Sequence, residues 1–329
     1  MYTPTAREVS VAFDLDPGGE LVHVRRGDTD AWRLGSYFVK GYFRATGGQF
    51  NGDGLIDQLT VAMAFEQLAL DAGVDMPSPV TPVDPVLGWL TRIEDRLFRV
   101  HEWVEHQPGD LASSGSASAD VSAWLGRTML QVHQLQPLGE APLPRWWRGS
   151  VRSPATWEGW LAKARDMPWV GLYEETLPQL LLAAERVAAA CDSVPDLVTT
   201  HGDFKPHNIV NSPTGPVLVD WDSVRTDSAA LEAARGAYIF AAGDPDGIAA
   251  ILATYTGDLT WPGEDLFLSV TRNHLQILGE HLQIALGENP PARWMGDLAA
   301  IHTAITTSLQ ALPAKLTELR QLASGISPA

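Results

Sequence analysis

Apolar and polar positions divide the chain into an extended first third and a largely helical remainder. Val9-Ser10-Val11-Ala12-Phe13 and the alternating Leu21-Val22-His23-Val24-Arg25 predict strands, with Asp16-Pro17-Gly18-Gly19-Glu20 as the turn between them. Residues 31–43 predict one or two more strands around Gly35. The period then changes. Ile56, Leu59, Met63, Leu68 and Leu70 recur at helical spacing, and Gly73 is the expected stop. Residues 92–99 and 100–104 predict two further strands.

Residues 107–118, rich in Gly, Ser and Ala, predict a connector. An amphipathic helix is expected over 120–135, carrying Val121, Leu125, Leu130 and Val132, and a Pro/Trp/Arg loop over 137–154. Helices are expected at 155–166 and 173–192, then loop and short strands over 197–222. Beyond Ser228 the pattern is helical, interrupted at Asp244-Pro245, Trp261-Pro262 and Asn289-Pro290-Pro291. The expectation is an α+β chain with a β-rich part over 1–105 and a helical part over 106–329.

Composition changes this picture little. The 329 residues are 45% hydrophobic and 19% charged, enough for a sizeable core. The net charge of −17 argues against nucleic acid as a partner, since phosphate binding wants a basic face. It is compatible with a cationic small molecule steered by an acidic cleft. Cys191 is the single cysteine, so no intrachain disulfide forms. Residues 1–10 carry no basic-then-apolar leader, and the apolar run 177–191 is cut by Gln179, Glu185 and Arg186. The expected location is cytoplasmic, with no membrane partner.

The chemistry concentrates in His201-Gly202-Asp203-Phe204-Lys205-Pro206-His207-Asn208 and, further on, Asp220-Trp221-Asp222. Asp203 can accept the proton of an attacking hydroxyl, Asn208 can offer an amide oxygen to a metal, and Asp220 follows the apolar run Val217-Leu218-Val219. That order suits phosphoryl transfer, where catalysis is mostly positioning and charge neutralisation. Asp222 reads either as a further metal contact or as a brace for the loop. Lysine is scarce (Lys40, Lys163, Lys205 and Lys315), and Lys205 stands two residues after Asp203, facing either the transferred phosphate or solvent.

The two motifs resemble the aminoglycoside phosphotransferase and choline kinase superfamily, a branch of the protein-kinase-like fold. That family reads His-Gly-Asp-x-x-x-x-Asn and then apolar-Asp-x-Asp. The resemblance implies a small antiparallel β lobe that binds nucleotide (1–105) and a large helical lobe with the catalytic loop and acceptor pocket (106–329). It implies ATP or GTP with Mg²⁺, held through Asn208 and Asp220, and an acceptor hydroxyl aligned by Asp203. Lys40, in Tyr37-Phe38-Val39-Lys40-Gly41-Tyr42, is expected on the nucleotide phosphates with Glu66 as its helix partner. Arg44 competes for that role. Glu102-Trp103-Val104 resembles the hinge whose backbone meets the adenine edge, and Gly18-Gly19 could cover the nucleotide.

His201 and His133 are read as packing residues, and Trp146-Trp147 as an anchor rather than a substrate mouth. Asp227, Glu232, Glu264, Asp265, Glu280 and Glu288 are where a cationic acceptor could be clamped, and most of them read as ordinary surface charges. The implied activity is phosphate transfer to a hydroxyl of an antibiotic-like acceptor, with antibiotic resistance as its consequence. The alternatives are a metabolic kinase for choline, ethanolamine, homoserine or a sugar, a macrolide-type kinase preferring GTP, and a silent nucleotide-binding protein.

Overall fold

A computed structural model describes residues 3–16, 18–26, 29–42, 54–106, 119–291 and 295–326. In chain order the first elements are α1 (Ala6–Phe13), β1 (Leu21–Arg26), β2 (Thr29–Leu34), β3 (Tyr37–Tyr42), α2 (Gly54–Asp71), β4 (Thr91–Ile93) and β5 (Arg96–Glu102). Then come α3 (Ala119–Leu135), β6 (Pro137–Ala141), α4 (Arg145–Gly149), α5 (Pro154–Lys163), α6 (Val170–Ala189) and β7 (Val194–Thr200). The remainder is β8 (Ile209–Ser212), β9 (Gly215–Leu218), β10 (Arg225–Ser228), α7 (Ala229–Phe240), α8 (Pro245–Leu252), α9 (Leu268–Ala285) and α10 (Leu298–Gly325).

The chain forms two compact units that do not follow a single cut: Met1–Ser113 with Pro206–Arg225, and Ser114–Lys205 with Thr226–Ala329. The expected connector at 107–118 and Arg44 lie outside the described residues. In the first unit an antiparallel sheet runs β1-β2-β3-β5-β4. Val9, Phe13, Trp32, Leu34, Val39, Phe98 and Val100 form one core beside it, and Tyr42, Leu55, Leu59, Met63, Leu90 and Leu97 another. Gly41 lies between Lys40 and Tyr42 because a side chain there would meet the Phe98 ring at 2.9 Å and the Trp32 ring at 3.0 Å. The hairpin β8–β9 belongs to this unit, and the Leu218 amide ties it to the Asp75 carbonyl at 2.8 Å.

Three sequence expectations change here. Residues 9–13 are helical, not a strand. The Thr5 hydroxyl accepts from the Glu8 amide and the Glu8 carboxylate accepts from the Thr5 amide, a reciprocal cap that starts a helix. Val9, Ser10 and Phe13 then share its buried face. The buried side of α2 is also rotated from the expected one. Leu59, Ala62, Met63, Phe65, Glu66 and Ala69 face inward, while Ile56 and Leu68 are 38% and 43% exposed. Finally, 96–102 is one strand, set off from β4 by a turn with Glu94 at φ 54°.

The second unit is mostly helical, with one three-stranded sheet ordered β10-β7-β6. The expected 137–154 loop contains β6 and α4. Its core gathers Trp147, Trp157, Trp160, Trp169 and Tyr173 with Leu275, Leu278, Leu309 and Leu312. Trp147 is thus an anchor, and the Arg272 guanidinium lies 4.5 and 4.6 Å from the Trp146 and Trp147 rings. Asp244 caps α8 and Pro245 opens it, so that expected interruption is a helix start. Among the described residues no helix is long and apolar enough to cross a membrane.

Candidate active site

Two clusters carry the candidate chemistry, one in each unit. In the first, β3 delivers Lys40 and the segment after β9 delivers Asp220 and Asp222. The Lys40 ammonium lies 2.5 Å from Asp220 Oδ1 and 2.6 Å from Asp222 Oδ2. Burial alone would make Lys40 easier to deprotonate, but Asp222 and Asp220 outweigh it and hold the ammonium firmly charged. Asp220 adopts a left-handed backbone, φ 68° and ψ 60°, which redirects the chain from β9 into the turn Trp221–Ser223. The Val219 amide donates to the Asn208 carbonyl at 2.9 Å, so the hairpin fixes Asn208 beside the start of the acidic turn.

Glu66 is not the partner of Lys40. Its carboxylate is paired with Arg99 and lies 2.9 Å from His101 Nε2. The reason is geometric. Lys40 and Arg99 stand opposite one another on β3 and β5, and the face that α2 presents brings Glu66 to the β5 cation. Arg99 also donates to Asp222 Oδ1 at 3.1 Å, and the Tyr42 hydroxyl donates to the same oxygen at 2.9 Å. Burial opposes ionisation of Glu66, yet the charge of Arg99 and the His101 hydrogen bond outweigh it and hold the carboxyl below its ordinary value. Burial and Asp222 together push the Tyr42 phenol up. Sequence reasoning missed Arg99. Its signal was an arginine in the otherwise apolar run Leu97-Phe98-Arg99-Val100, where a buried charge must have a partner.

The Glu102 amide donates to the Ser78 carbonyl at 2.9 Å and the Trp103 amide to the Ser36 carbonyl at 2.8 Å. Both amides are therefore occupied by backbone carbonyls of the same unit. At the Gly18-Gly19 turn, the Gly18 amide donates to Asp16 Oδ1 at 3.1 Å, a local Asx-type turn.

In the second unit, β7 leads into His201, which is fully buried. Its Nδ1 accepts from the Asp203 amide at 3.3 Å, and its ring packs 5.2 Å from Phe204, so His201 braces the loop. Gly202 takes φ 80°, a left-handed conformation that a side chain disfavours, and its carbonyl accepts from Arg235 at 3.0 Å. Lys205 Nζ lies 2.6 Å from Asp203 Oδ2, which brings base candidate and lysine together. Beneath them Glu232 accepts from the Thr200 hydroxyl and from His133 Nε2 at 3.0 Å. A carboxylate only accepts, so His133 Nε2 carries hydrogen; its Nδ1 lies 2.9 Å from the Tyr255 hydroxyl.

The six acids considered for an acceptor clamp all have partners within this unit. Asp227 accepts from Trp147 Nε1 at 2.8 Å, and Glu232 is fully buried. Glu264 and Asp265 flank Arg186 at 3.4 and 2.5 Å. Glu280 accepts from Gln276 at 3.1 Å, and Glu288 accepts from Lys163 at 2.6 Å.

The donor set in the first unit fits a hard divalent cation. Among the described residues no three His, Cys, Asp or Glu side chains gather as a metal cage. Two carboxylates that share one ammonium would instead give the sparse oxygen set that Mg²⁺ takes when phosphates supply further ligands.

A strand-rich unit with a buried lysine and an acidic turn, and a helical unit bearing a His-Gly-Asp loop, define the two lobes of a protein-kinase-like phosphotransferase. A family model described as the phosphotransferase enzyme family matches residues 57–267. The chain belongs to this family and is a phosphotransferase with an alcohol group as acceptor. Among solved structures it is similar to spectinomycin phosphotransferase APH(9)-Ia in complex with ADP and spectinomycin, at TM-score 0.66 and 12% identity, over 97% of this chain and 100% of that one. It is similar to an aminoglycoside phosphotransferase from Alicyclobacillus acidocaldarius, at TM-score 0.62 and 14% identity, over 99% and 98%. It is also similar to the amicoumacin kinase hAmiN in complex with AMP-PNP, Ca²⁺ and Ami, at TM-score 0.62 and 13% identity, over 94% and 92%. No curated protein matches the chain.

Proposed function

We propose that this phosphotransferase moves the γ-phosphate of ATP or GTP to a hydroxyl of an antibiotic-like natural product. The observation that carries the reading is the ammonium of Lys40 seated on both Asp220 and Asp222, in a chain whose His-Gly-Asp loop presents Asp203 with Lys205 at 2.6 Å. Residues 1–105, joined by 206–225, would bind the nucleotide, and 106–329 would supply the loop and the acceptor pocket. Lys40 would contact the nucleotide phosphates, and the segment Glu102-Trp103-Val104 the base. Asn208, Asp220 and Asp222 would hold Mg²⁺, which when bound offsets negative charge on the phosphate oxygens.

Asp203 would accept the hydroxyl proton as the acceptor oxygen bonds to phosphorus. The bond to the leaving phosphate breaks in the same displacement, and a nucleoside diphosphate departs. Lys205, already on the Asp203 carboxylate, would orient it and face the transferred group. The acceptor class draws support from the resemblance to spectinomycin phosphotransferase and amicoumacin kinase.

The test is a transfer screen. Protein, Mg²⁺ and ATP or GTP are offered hydroxylated antibiotics, amino alcohols and sugars, with Asp203→Asn alongside. A phosphorylated antibiotic that disappears with the variant supports the reading. A product only from choline, ethanolamine, homoserine or a sugar replaces it with the metabolic alternative. Nucleotide binding without any product favours the silent binder.

A further inference from the structure

The first unit holds a chain of charges of alternating sign: Glu66, Arg99, Asp222, Lys40 and Asp220. Its two cations are direct cross-strand neighbours, Lys40 on β3 and Arg99 on β5. Like charges so placed repel unless acids intervene. Here Asp222 intervenes, with Oδ2 on Lys40 at 2.6 Å and Oδ1 on Arg99 at 3.1 Å. The Tyr42 hydroxyl adds a third donor to this carboxylate, on Oδ1 at 2.9 Å. Arg99 is 1% exposed and cannot touch a bound molecule. One arm of its guanidinium pairs with Glu66 on α2, and the other reaches the acidic turn.

We infer that Arg99 is a positioning residue of this phosphotransferase: it takes the helix glutamate that would otherwise serve Lys40, and its second arm fixes the Asp222 carboxylate, leaving Lys40 to the aspartate pair. The inference rests on Asp220 and Asp222 being metal ligands. Arginine suits the task because its planar fork addresses two acceptors at fixed angles and stays charged. A lysine is a single point charge and cannot hold both carboxylates in place. Helix α2 is thereby coupled to the acidic turn through β5, not through the lysine strand.

The experiment measures Mg²⁺ affinity by titration calorimetry of full-length protein saturated with ADP or GDP, whichever wild type binds more tightly, alongside urea unfolding. Arg99→Met and Arg99→Lys are each expected to weaken Mg²⁺ binding about tenfold or more, the scale on which outer partners of metal ligands act. Glu66→Gln alone should stay within about threefold, because Arg99 keeps its hold on Asp222. The double variant Glu66→Gln/Arg99→Met should regain much of the stability lost in Arg99→Met, since a buried pair removed together leaves no orphaned charge. It should not regain Mg²⁺ affinity. A role confined to folding would restore both.

Two results overturn the inference. One is wild-type Mg²⁺ affinity in both Arg99 variants. The other is a loss in Glu66→Gln as large as in Lys40→Met, which would return Glu66 to the lysine. Asp220→Asn separates the levels. If it weakens Mg²⁺ binding while the Arg99 variants do not, only the role of Arg99 falls. If Asp220→Asn binds Mg²⁺ like wild type, the ligand assignment falls and the inference falls with it.

Discussion

Glu66 and Glu232 are both fully buried glutamates, one in each unit, and they are neutralised in different ways. Glu66 faces a guanidinium that is itself shared with Asp222, so its surroundings are a run of full charges. Glu232 is met at close range by a hydroxyl and a histidine Nε2–H, with Arg235 further off at 3.4 Å. The first arrangement is electrostatic, and its balance shifts whenever an anion or cation arrives or leaves. The second is a hydrogen-bonded node tying β7, α3 and α7 together beneath the Asp203 loop, and it is satisfied whatever is bound. Damage to the first should therefore appear as altered nucleotide and metal binding. Damage to the second should appear as lost stability and a displaced loop.

Asp203→Asn sets the upper limit of the contrast. Turnover should fall about 10²- to 10⁴-fold, the range assigned to a general base, while nucleotide affinity holds within about twofold. A pre-steady-state transfer assay paired with nucleotide titration checks both. Unchanged turnover removes Asp203 from the mechanism.

Glu232→Leu leaves His133 Nε2 and the Thr200 hydroxyl without this acceptor, while Arg235 keeps the Gly202 carbonyl, and should cost about 3 kcal/mol of stability, the scale of a broken buried pair. Urea unfolding measures it. The folded fraction should still bind Mg-nucleotide normally, and an affinity loss would erase the distinction between the two networks.

Asp220→Asn should weaken Mg²⁺-dependent nucleotide binding about tenfold or more while changing stability little, because Lys40 retains Asp222 at 2.6 Å. The same titration in EDTA should show wild type and variant converging.

The smallest effect is a pH dependence confined to the first network. The Glu66 carboxyl is held below its ordinary value of 4.5. The stability it contributes is therefore complete above that value and is lost as pH falls through the lower folded value. Glu66→Gln should flatten the acid limb of stability below about pH 4.5, read by urea midpoints. An unaltered limb would show that other carboxyls set it.

Much of the candidate site was legible because it is local. Asp203 and Lys205 lie two residues apart, and the hairpin that joins Asn208 to Asp220 is short, so covalent geometry keeps each group near the others. Most elements were legible because their periods are unambiguous, as in 21–26, 54–71 and 119–135. Residues 9–13 misled because so short an apolar run also fits a helix with Val9, Ser10 and Phe13 on its buried face, and the deciding Thr5–Glu8 cap lies upstream. The six acids of the helical unit were not separable by sequence because an acidic side chain says nothing of its partner, and each has one close by.

What the sequence alone determined is the set of candidate groups and their order, since a loop of fixed length can place an acid, a lysine and an amide in only a few ways. Which cation serves which acid was left to the tertiary structure. Arg99 meets Glu66 across 33 residues and Asp222 across 123, and Lys40 meets Asp220 across 180. Those contacts depend on the register that sets Lys40 opposite Arg99 and on the rotation that turns Glu66 inward on α2. Register and rotation follow from how whole elements pack, and no spacing along the chain encodes them.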